Sequence, residues 1–377
     1  MSNGFLAGVR VIDLSQFLPG PFATQMLADM GADVLKVEPP KGDPMRDLNP
    51  ITNERGAAPF HGVINAGKRV VRIDLKTPDG KGALEKLICQ TDVLLESYRP
   101  GVLERLGFGV ERLKELNPVL VHCALSGYGQ MGPLRLASGH DMNYVAMTGG
   151  LDVTGPGAKP LAAFPQVADY GGALQAVIAI QGALFNRTRT GKGAFLDVAM
   201  ADAILAWQAC AMTQAELAKQ GAGKPPTRAQ DLLTGGAACY QTYETADGKF
   251  ISLGAIEEVF WQNFCQAVER SDWAPRQLEP LPQTDLIDDV ALLIRQHPRH
   301  HWDTLLSATD CCYHPVLEYG EVADWPQVTQ RQLVDGGRDG KPFESIRFPV
   351  WTDGKPPPKR EPVSEVELDE AIAAWAN

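Results

Sequence analysis

The sequence has 377 residues, of which 44% are hydrophobic and 21% charged, so it can bury a core and is not a disordered chain. Because this length exceeds what one hydrophobic core usually supports, we expect two domains. The 35 lysines and arginines are outnumbered by 46 acidic residues, and the net charge of −11 argues against a general nucleic-acid or anionic-membrane binder.

Neither the start of the sequence nor its cysteines indicate export. MSNGFLAGVRVIDLS lacks a basic segment followed by a long apolar run, and no stretch approaches the roughly 18 apolar residues of a membrane-spanning helix. The seven cysteines form no CxxC pair and no regular framework. We expect a cytoplasmic protein with reduced thiols and no membrane partner.

The first part of the chain alternates strand and helix patterns. Strands are predicted for the apolar runs at residues 9–14 and 70–75 and in ADVLKVE, DVLLES, VLVHCAL and AFLDVAM. Helices are predicted between them, in PFATQMLADMGA, GKGALEKLICQ and VERLKEL, in an alanine-rich segment at 170–187 and around 202–212. This βαβ alternation predicts an α/β protein with a mainly parallel sheet.

The second part follows residues 218–228, AKQGAGKPPTR, whose loss of periodicity is typical of a linker. CYQTYETADGKFISLGA then predicts a β-hairpin with its turn at Asp247-Gly248, and EEVFWQNFCQAVER predicts a helix. A last amphipathic helix is predicted near 365–375, packed on the first domain. We expect a large domain over 1–217, completed by 334–377, and a smaller α+β domain over 229–333.

Several common catalytic motifs are missing from the sequence. The turn after the first strand reads SQFLPGPFA, which lacks the GxGxxG of dinucleotide-binding folds. The sequence contains no GxxxxGK[ST], GxSxG or HExxH, and the pair His300-His301 lies in an arginine-rich segment typical of a solvated helix face. We expect no NAD, no resident prosthetic group and no metal site.

Four polar residues stand in apolar, glycine-rich surroundings: His140 and Asp141 in SGHDMNYVAMTGG, Asp169 in FPQVADYGGAL, and Glu257 in SLGAIEEVF. A charged group there is costly unless it is paired or functional, and burial moves a carboxyl pKa towards the range used in acid–base catalysis. Taken singly, the residues also have ordinary explanations. Asp169 would cap a helix, His140 would be a hydrogen-bonded structural histidine, and Glu257 would favour a helix start.

The sequence resembles the family III CoA-transferases over nearly its whole length. The resembling segments are GVRVIDLSQFLPGPFATQMLADMGADVLKVEPP, KRVVRIDLKTPDG, ESYRPGVLERLGFG and RTRTGKGAFLDVAMADAIL. The family includes formyl-CoA and carnitine CoA-transferases and the α-methylacyl-CoA racemases. The resemblance implies a Rossmann-like large domain and a small domain, in a homodimer whose subunits interlock.

The resemblance also implies roles for single residues. The position of Asp169 holds the central catalytic carboxylate in transferases and racemases alike. SGHDMNY and GAIE resemble the racemase branch, where the histidine matching His140 is the second acid–base group and the glutamate matching Glu257 supports it. Asp141 and Tyr144 are expected beside this pair.

Two departures bear on the choice of reaction. The glycine segment is short, with only Gly235 and Gly236, which favours the racemase branch over the oxalate-type transferases. Pro165 argues the other way, because racemases commonly have an asparagine there.

The expected reaction is racemisation or epimerisation of a 2-methylacyl-CoA thioester. It needs a base on one face of the α-carbon, an acid on the other, and donors for the enolate oxygen, which we expect at the N-terminus of the helix that carries Asp169. The alternative is a CoA-transferase, in which Asp169 attacks the thioester and forms a mixed anhydride. A non-catalytic CoA-binding module would leave His140, Asp169 and Glu257 without a purpose.

CoA is a polyanion, so an acidic chain must hold it with a local group of cations. We predict this group beside the strand ends of the first part of the chain, and its members are Lys41, Arg46, Lys68, Arg69, Arg72, Lys76, Arg99 and Arg105. The residues expected nearest to CoA, by the resemblance or by their neighbourhood in the sequence, are Arg72, Lys76, Tyr98, Arg99, Arg105 and Tyr144. An acyl-CoA thioester is thus the expected substrate.

Overall fold

Apolar and β-branched runs form the strands of the computed structural model, which describes residues 4–48, 59–338 and 343–375. Within these residues the strands are β1 (Arg10–Asp13), β2 (Asp33–Glu38), β3 (Arg69–Arg72), β4 (Val93–Glu96), β5 (Val121–Ser126), β6 (Ala194–Ala199), β7 (Tyr240–Glu244), β8 (Phe250–Gly254), β9 (Tyr313–Pro315), β10 (Val334–Asp335), β11 (Ser345–Ile346) and β12 (Ser364–Glu365).

Helices connect most of these strands. In the described part of the chain they are α1 (Pro19–Asp29), α2 (Pro59–Ile64), α3 (Pro78–Ile88), α4 (Val102–Arg105), α5 (Val110–Leu116), α6 (Asp141–Met147), α7 (Val167–Thr190), α8 (Met200–Trp207), α9 (Ala209–Lys219), α10 (Glu258–Ala267), α11 (Thr284–Ile294), α12 (Arg299–Leu306), α13 (Tyr319–Val322), α14 (Pro326–Arg331) and α15 (Leu368–Trp375). The ends of two of these helices show common capping features. Thr77 Oγ1 accepts the Gly80 N–H at 3.1 Å at the start of α3, and α7 is followed by Gly191, whose φ of 66° suits glycine.

Seven strands form one sheet in the order β12-β3-β2-β1-β4-β5-β6, and each neighbouring pair is parallel. Val11 of β1, for example, pairs with Val34 on one side and with Val93 on the other. All residues of β4 and β5 are buried, as is usual for parallel strands that are covered on both faces. The predicted α/β fold with a mainly parallel sheet is confirmed.

A smaller antiparallel sheet has the order β7-β8-β9. The predicted hairpin is present, because Tyr243 of β7 pairs with Ile251 of β8 and the turn contains Gly248 at a φ of 74°. One face of this sheet packs against α10, α11 and α12. The core between them includes the buried Trp261, Trp273 and Trp302.

The chain packs as two compact units. The first comprises residues up to 148, 164–207 and 323 onwards, and the second comprises 149–163 and 208–322. This division differs from the predicted one in assigning 149–163 to the second unit and in moving both later boundaries towards the N-terminus. The sequence pattern shows where helical or strand periodicity is lost along the chain. It does not show which segments pack together in space.

Two predicted helices have different outcomes. The helix expected around 202–212 is two helices, α8 and α9, separated at Gln208, where the second unit begins. No proline or glycine marks this break, so the sequence pattern continues through it. The last helix is present as α15, which packs on α3 and β3, with Trp375 Nε1–H donating to Asp33 Oδ2 at 2.7 Å.

Candidate active site

The carboxyl ends of the parallel strands meet at one edge of the large sheet, where open α/β folds bind ligands. β3 ends at Arg72 and β4 at Glu96, two residues before Tyr98. The connection that leaves β5 at this edge contains α6, and α7 then runs back to the start of β6, so the first turn of α7 also lies on the carboxyl side.

Asp169 lies in the first turn of α7 and is half-buried. Asp141, the first residue of α6, is buried, and its Oδ1 accepts the N–H groups of Ala168 at 2.6 Å and Asp169 at 3.2 Å. Burial and the nearby Asp141 carboxylate raise the pKa of Asp169 to about 6, and the charge of His140 acts in the opposite direction. The structure therefore brings Asp169, Asp141 and His140 together.

The cap made by Asp141 bears on one expectation about this helix end. The N–H groups of Ala168 and Asp169 donate to Asp141, and the Tyr170 N–H donates to Gln166 O at 3.1 Å. These three donors of the first turn of α7 are therefore occupied. A carboxylate of the protein thus satisfies two of the donors that we expected to stabilise an enolate oxygen, and that role stays a prediction.

His140 immediately precedes α6 and is exposed. Its backbone N–H donates to Asn143 Oδ1 at 3.0 Å, which fixes the start of the helix. The imidazole therefore projects from a helix end whose backbone is held in place, while the ring remains accessible to a ligand.

Tyr144 lies on α6, four residues after His140, and is buried. Its hydroxyl donates to Gly139 O at 2.6 Å, and its ring meets Tyr128 edge-on at 5.1 Å between centroids. Burial and the Asp169 charge raise the pKa of Tyr144 to about 12, whereas the charge of Arg99 acts to lower it. Arg99, from the segment after β4, is thus close enough to interact electrostatically with Tyr144. Sequence reasoning missed Tyr128, which follows Gly127 directly after β5.

The predicted group of CoA-binding cations falls into two classes, apart from Arg69, which begins β3 and has its Nη2 2.8 Å from Asp33 Oδ2. The exposed members are Lys41, Arg72, Lys76, Arg99 and Arg105, and Arg72 Nη2 lies 3.8 Å from Glu365 Oε1. Lys68 and Arg46 are buried instead. Lys68 Nζ is 3.0 Å from Asp13 Oδ2, and Arg46 Nε is 2.7 Å from Glu38 Oε2. Those two cations are engaged within the protein, because buried carboxylates end β1 and β2.

Glu96 is a further buried carboxyl group at this edge that sequence reasoning missed. Its Oε2 accepts the Tyr98 N–H at 2.6 Å. Burial and the nearby Asp197 raise the pKa of Glu96 to about 7, and burial with the Glu96 charge raises that of Tyr98 to about 12. The one available signal was a lone glutamate at the end of the apolar run DVLLES.

Glu257 belongs to the second unit, where it precedes α10 and is exposed. Burial and the Glu257 charge raise the pKa of Cys312. Beside Cys312 lies a cavity of about 550 Å³, and its polar lining includes Thr234, Gln241, Thr242 and Ser252. Gly235, from the short glycine segment, also lines it. The supporting role of Glu257 stays a prediction.

Residues 4–48, 59–338 and 343–375 contain no cluster of three or more His, Cys, Asp or Glu side chains suited to a metal ion. In the same part of the chain, no helix combines the length and the apolar character needed to cross a bilayer.

Comparison with known proteins gives consistent results. The sequence pattern of CoA-transferase family III matches residues 6–364. The α-methylacyl-CoA racemase of Homo sapiens is 36% identical over 320 residues, covering 84% of this chain and 79% of that protein. The succinate–glutarate CoA-transferase of Agrobacterium fabrum is 37% identical over 69% of this chain and 65% of its own length. A CAIB/BAIF family protein from Brucella suis superposes with a TM-score of 0.82 at 27% identity, covering 100% of this chain and 99% of the other. The chain belongs to CoA-transferase family III and, like the characterised relatives, is an enzyme.

Proposed function

We propose that the enzyme racemises or epimerises 2-methylacyl-CoA thioesters by moving the α-proton between Asp169 and His140. The observation that carries this proposal is the neighbourhood of the two groups, in which Asp169 has a pKa of about 6 and interacts electrostatically with His140. A base works best when its pKa lies near the working pH, because it is then both ionised and basic. The similarity to α-methylacyl-CoA racemases supports the same reading.

The reaction needs only proton transfers. Ionised Asp169 removes the α-proton, and the electron pair moves into the thioester to form an enolate. Protonated His140 then gives a proton to the opposite face of the α-carbon, which inverts the centre, and the reverse sequence uses the two groups in exchanged roles. Glu257 would keep His140 oriented, and Asp141 raises the basicity of Asp169 by its charge.

The substrate would be an acyl-CoA held by Arg72, Lys76, Tyr98, Arg99 and Arg105, with Tyr144 beside the thioester. The exposed positions of the four cations at or after the ends of strands on the carboxyl side support this assignment. No prosthetic group is part of the proposal.

The test incubates the enzyme with each enantiomer of a 2-methylacyl-CoA in D₂O without a carboxylic acid and follows α-deuterium by mass spectrometry. We expect deuterium in both enantiomers and their interconversion. His140→Gln should abolish interconversion and leave exchange only in the enantiomer whose α-hydrogen faces Asp169. His300→Gln, an exposed histidine on α12, is the matched control and should change neither.

The second candidate is a CoA-transferase, which the similarity to succinate–glutarate CoA-transferase and the proline at position 165 favour. Its signs would be CoA transfer that depends on an added carboxylic acid and hydroxylamine-sensitive labelling at Asp169. His140→Gln would leave that transfer intact. Absence of deuterium exchange over a series of acyl chains, together with such transfer, would reject the racemase.

The proposal includes a homodimer, interlocked as the resemblance implies. One face of α7 supports a partner, because Leu174, Ile178 and Phe185 are 38%, 62% and 68% exposed at helical spacing. Sedimentation of the enzyme should give twice the chain mass, and Ile178→Glu should shift it towards the monomer. We also place the enzyme in the cytoplasm, supported by seven free thiols.

A further inference from the structure

Four charged side chains are fully buried beside the carboxyl ends of β1 and β2: Asp13, Lys36, Asp43 and Lys68, here called the buried quartet. Lys68 Nζ lies 3.0 Å from Asp13 Oδ2, and Lys36 Nζ lies 2.9 Å from Asp43 Oδ2. Buried ion pairs are weak sources of stability, because desolvation offsets their attraction, and their best-attested use is to specify one conformation.

Both lysines bind backbone carbonyl groups of residues 15–21, which run from the end of β1 into the first turn of α1. Lys36 Nζ donates to Ser15 O at 2.7 Å, and Lys68 Nζ donates to Pro21 O at 2.7 Å. Lys36 therefore joins its carboxylate to the connection after β1, and Lys68 joins its carboxylate to the first turn of α1.

Both aspartates bind N–H groups of that segment. Asp13 Oδ1 accepts the Ser15 N–H at 2.9 Å, and Asp43 Oδ1 accepts the Phe17 N–H at 3.4 Å. Phe17 has a φ of 63°, which bulky residues rarely adopt, so its surroundings hold it there. Phe17 is nevertheless 46% exposed, so its strained backbone presents an aromatic side chain to solvent.

The segment and the start of α1 contact two parts of the candidate site. On one side, the Gln16 N–H donates to Ser97 Oγ at 3.1 Å, next to Tyr98. On the other side, the Phe22 ring packs edge-on against Tyr170, the neighbour of Asp169, with 4.9 Å between centroids. Residues 15–18 thus contact the segment expected to bind CoA, and α1, which follows them directly, contacts the neighbour of Asp169.

We propose that the buried quartet consists of positioning residues that hold residues 15–18 as one wall of the acyl-CoA site, with Phe17 presented to the ligand. This inference rests on the proposed function, since it takes an acyl-CoA as the ligand. The quartet acts through the turn and touches no substrate. Loss of one pair would release the turn and weaken CoA binding while leaving Asp169 and His140 in place.

The test compares two isosteric variants of the full chain. Asp43→Asn removes one charge of the quartet and leaves Lys36 without its ion-pair partner. Asp29→Asn is the matched control, because the Arg360–Asp29 pair is similarly buried, with side chains 9% and 6% exposed, but lies at the other end of α1. Calorimetric titration with CoA should show affinity at least tenfold weaker for Asp43→Asn and within twofold of wild type for Asp29→Asn, although both lower Tm.

Enzyme kinetics distinguish a loss of ligand positioning from a general loss of folded enzyme. With the acyl-CoA substrate, Asp43→Asn should raise KM at least tenfold and lower kcat less than threefold. The double variant Lys36→Met/Asp43→Asn removes both buried charges and should recover most of the lost Tm, because neutral replacements of buried pairs are often tolerated. It should still bind CoA at least tenfold more weakly, since Ser15 O has lost its donor.

Two results would overturn the inference. If the double variant binds CoA like wild type, the quartet is only structural. The same conclusion follows if Asp43→Asn and Asp29→Asn lower Tm equally and Asp43→Asn binds CoA like wild type. If the wild-type chain itself does not bind CoA, the proposed function fails and this inference fails with it. The wild-type titration therefore distinguishes the two failures.

Discussion

Two carboxyl groups on the carboxyl side of the sheet, Asp13 and Asp169, have pKa values shifted in opposite directions. Burial by itself raises the pKa of both. Around Asp13, the Lys68 and Lys36 charges and the Ser15 and Thr24 hydroxyls outweigh burial and hold the pKa well below its usual range. Around Asp169, the Asp141 charge adds to burial and the pKa rises to about 6.

The difference shows that burial alone does not assign a role to a carboxyl group. The charge of its neighbours does, because each ionic neighbour stabilises or destabilises the ionised form. Asp13 stays ionised across the working pH range and anchors the turn after β1. Asp169 can exchange a proton close to neutral pH, as an acid–base catalyst must.

The largest expected effect concerns catalysis by Asp169. Asp169→Asn removes the base and should slow α-deuterium exchange by about 10²- to 10⁴-fold at pH 8, as measured by mass spectrometry. Asp202→Asn, an exposed acidic residue in the first turn of α8, should leave the rate within twofold. Equal losses in both variants would remove the distinction between Asp169 and an ordinary surface acid.

The next effect concerns the buried ion pair between Lys68 and Asp13, which anchors the turn after β1. Lys68→Met leaves the Asp13 carboxylate buried beside an apolar side chain and should lower the free energy of unfolding by about 3–5 kcal/mol in urea denaturation. Adding Asp13→Asn should restore most of the loss, because no unpaired charge then remains. If Lys68→Met alone is as stable as wild type, the ion pair of Lys68 and Asp13 does not anchor the turn.

Replacement of Asp169 by a neutral residue should also stabilise the fold. The folded pKa of about 6 exceeds the ordinary value of 3.8, so the folded state binds more protons than the unfolded state between these pH values. The penalty for ionised Asp169 is therefore full above pH 6 and disappears as the pH falls towards 3.8. Asp169→Asn should be more stable than wild type at pH 8, by about 1–3 kcal/mol, and should lose this advantage near pH 4.

The smallest effect concerns the neighbour that sets the pKa of Asp169. Asp141→Asn keeps an oxygen that can accept the Ala168 N–H but removes the negative charge, so the pKa of Asp169 should fall. In a plot of the deuterium-exchange rate against pH, the rise on the acidic side should therefore move to lower pH. His140→Gln, followed through the exchange that remains, should move it to higher pH, because the His140 charge lowers this pKa.

Much of the fold could be predicted from the sequence, because helix and strand patterns depend on residues close together in the chain. The alternation in the first part and the hairpin at Gly248 are examples. The break at Gln208 could not be predicted, since the helical pattern continues across it and the packing of α8 and α9 into different units separates them.

For the candidate site, residue chemistry in sequence context drew attention to His140, Asp141 and Asp169, and the family resemblance supplied their expected roles. Only the tertiary structure decided that Asp141 caps the helix of Asp169 and raises its pKa, and that Lys68 is engaged by Asp13 rather than exposed. The physical reason is that electrostatic interactions depend on distance in space, and these pairs are formed by residues far apart in the chain.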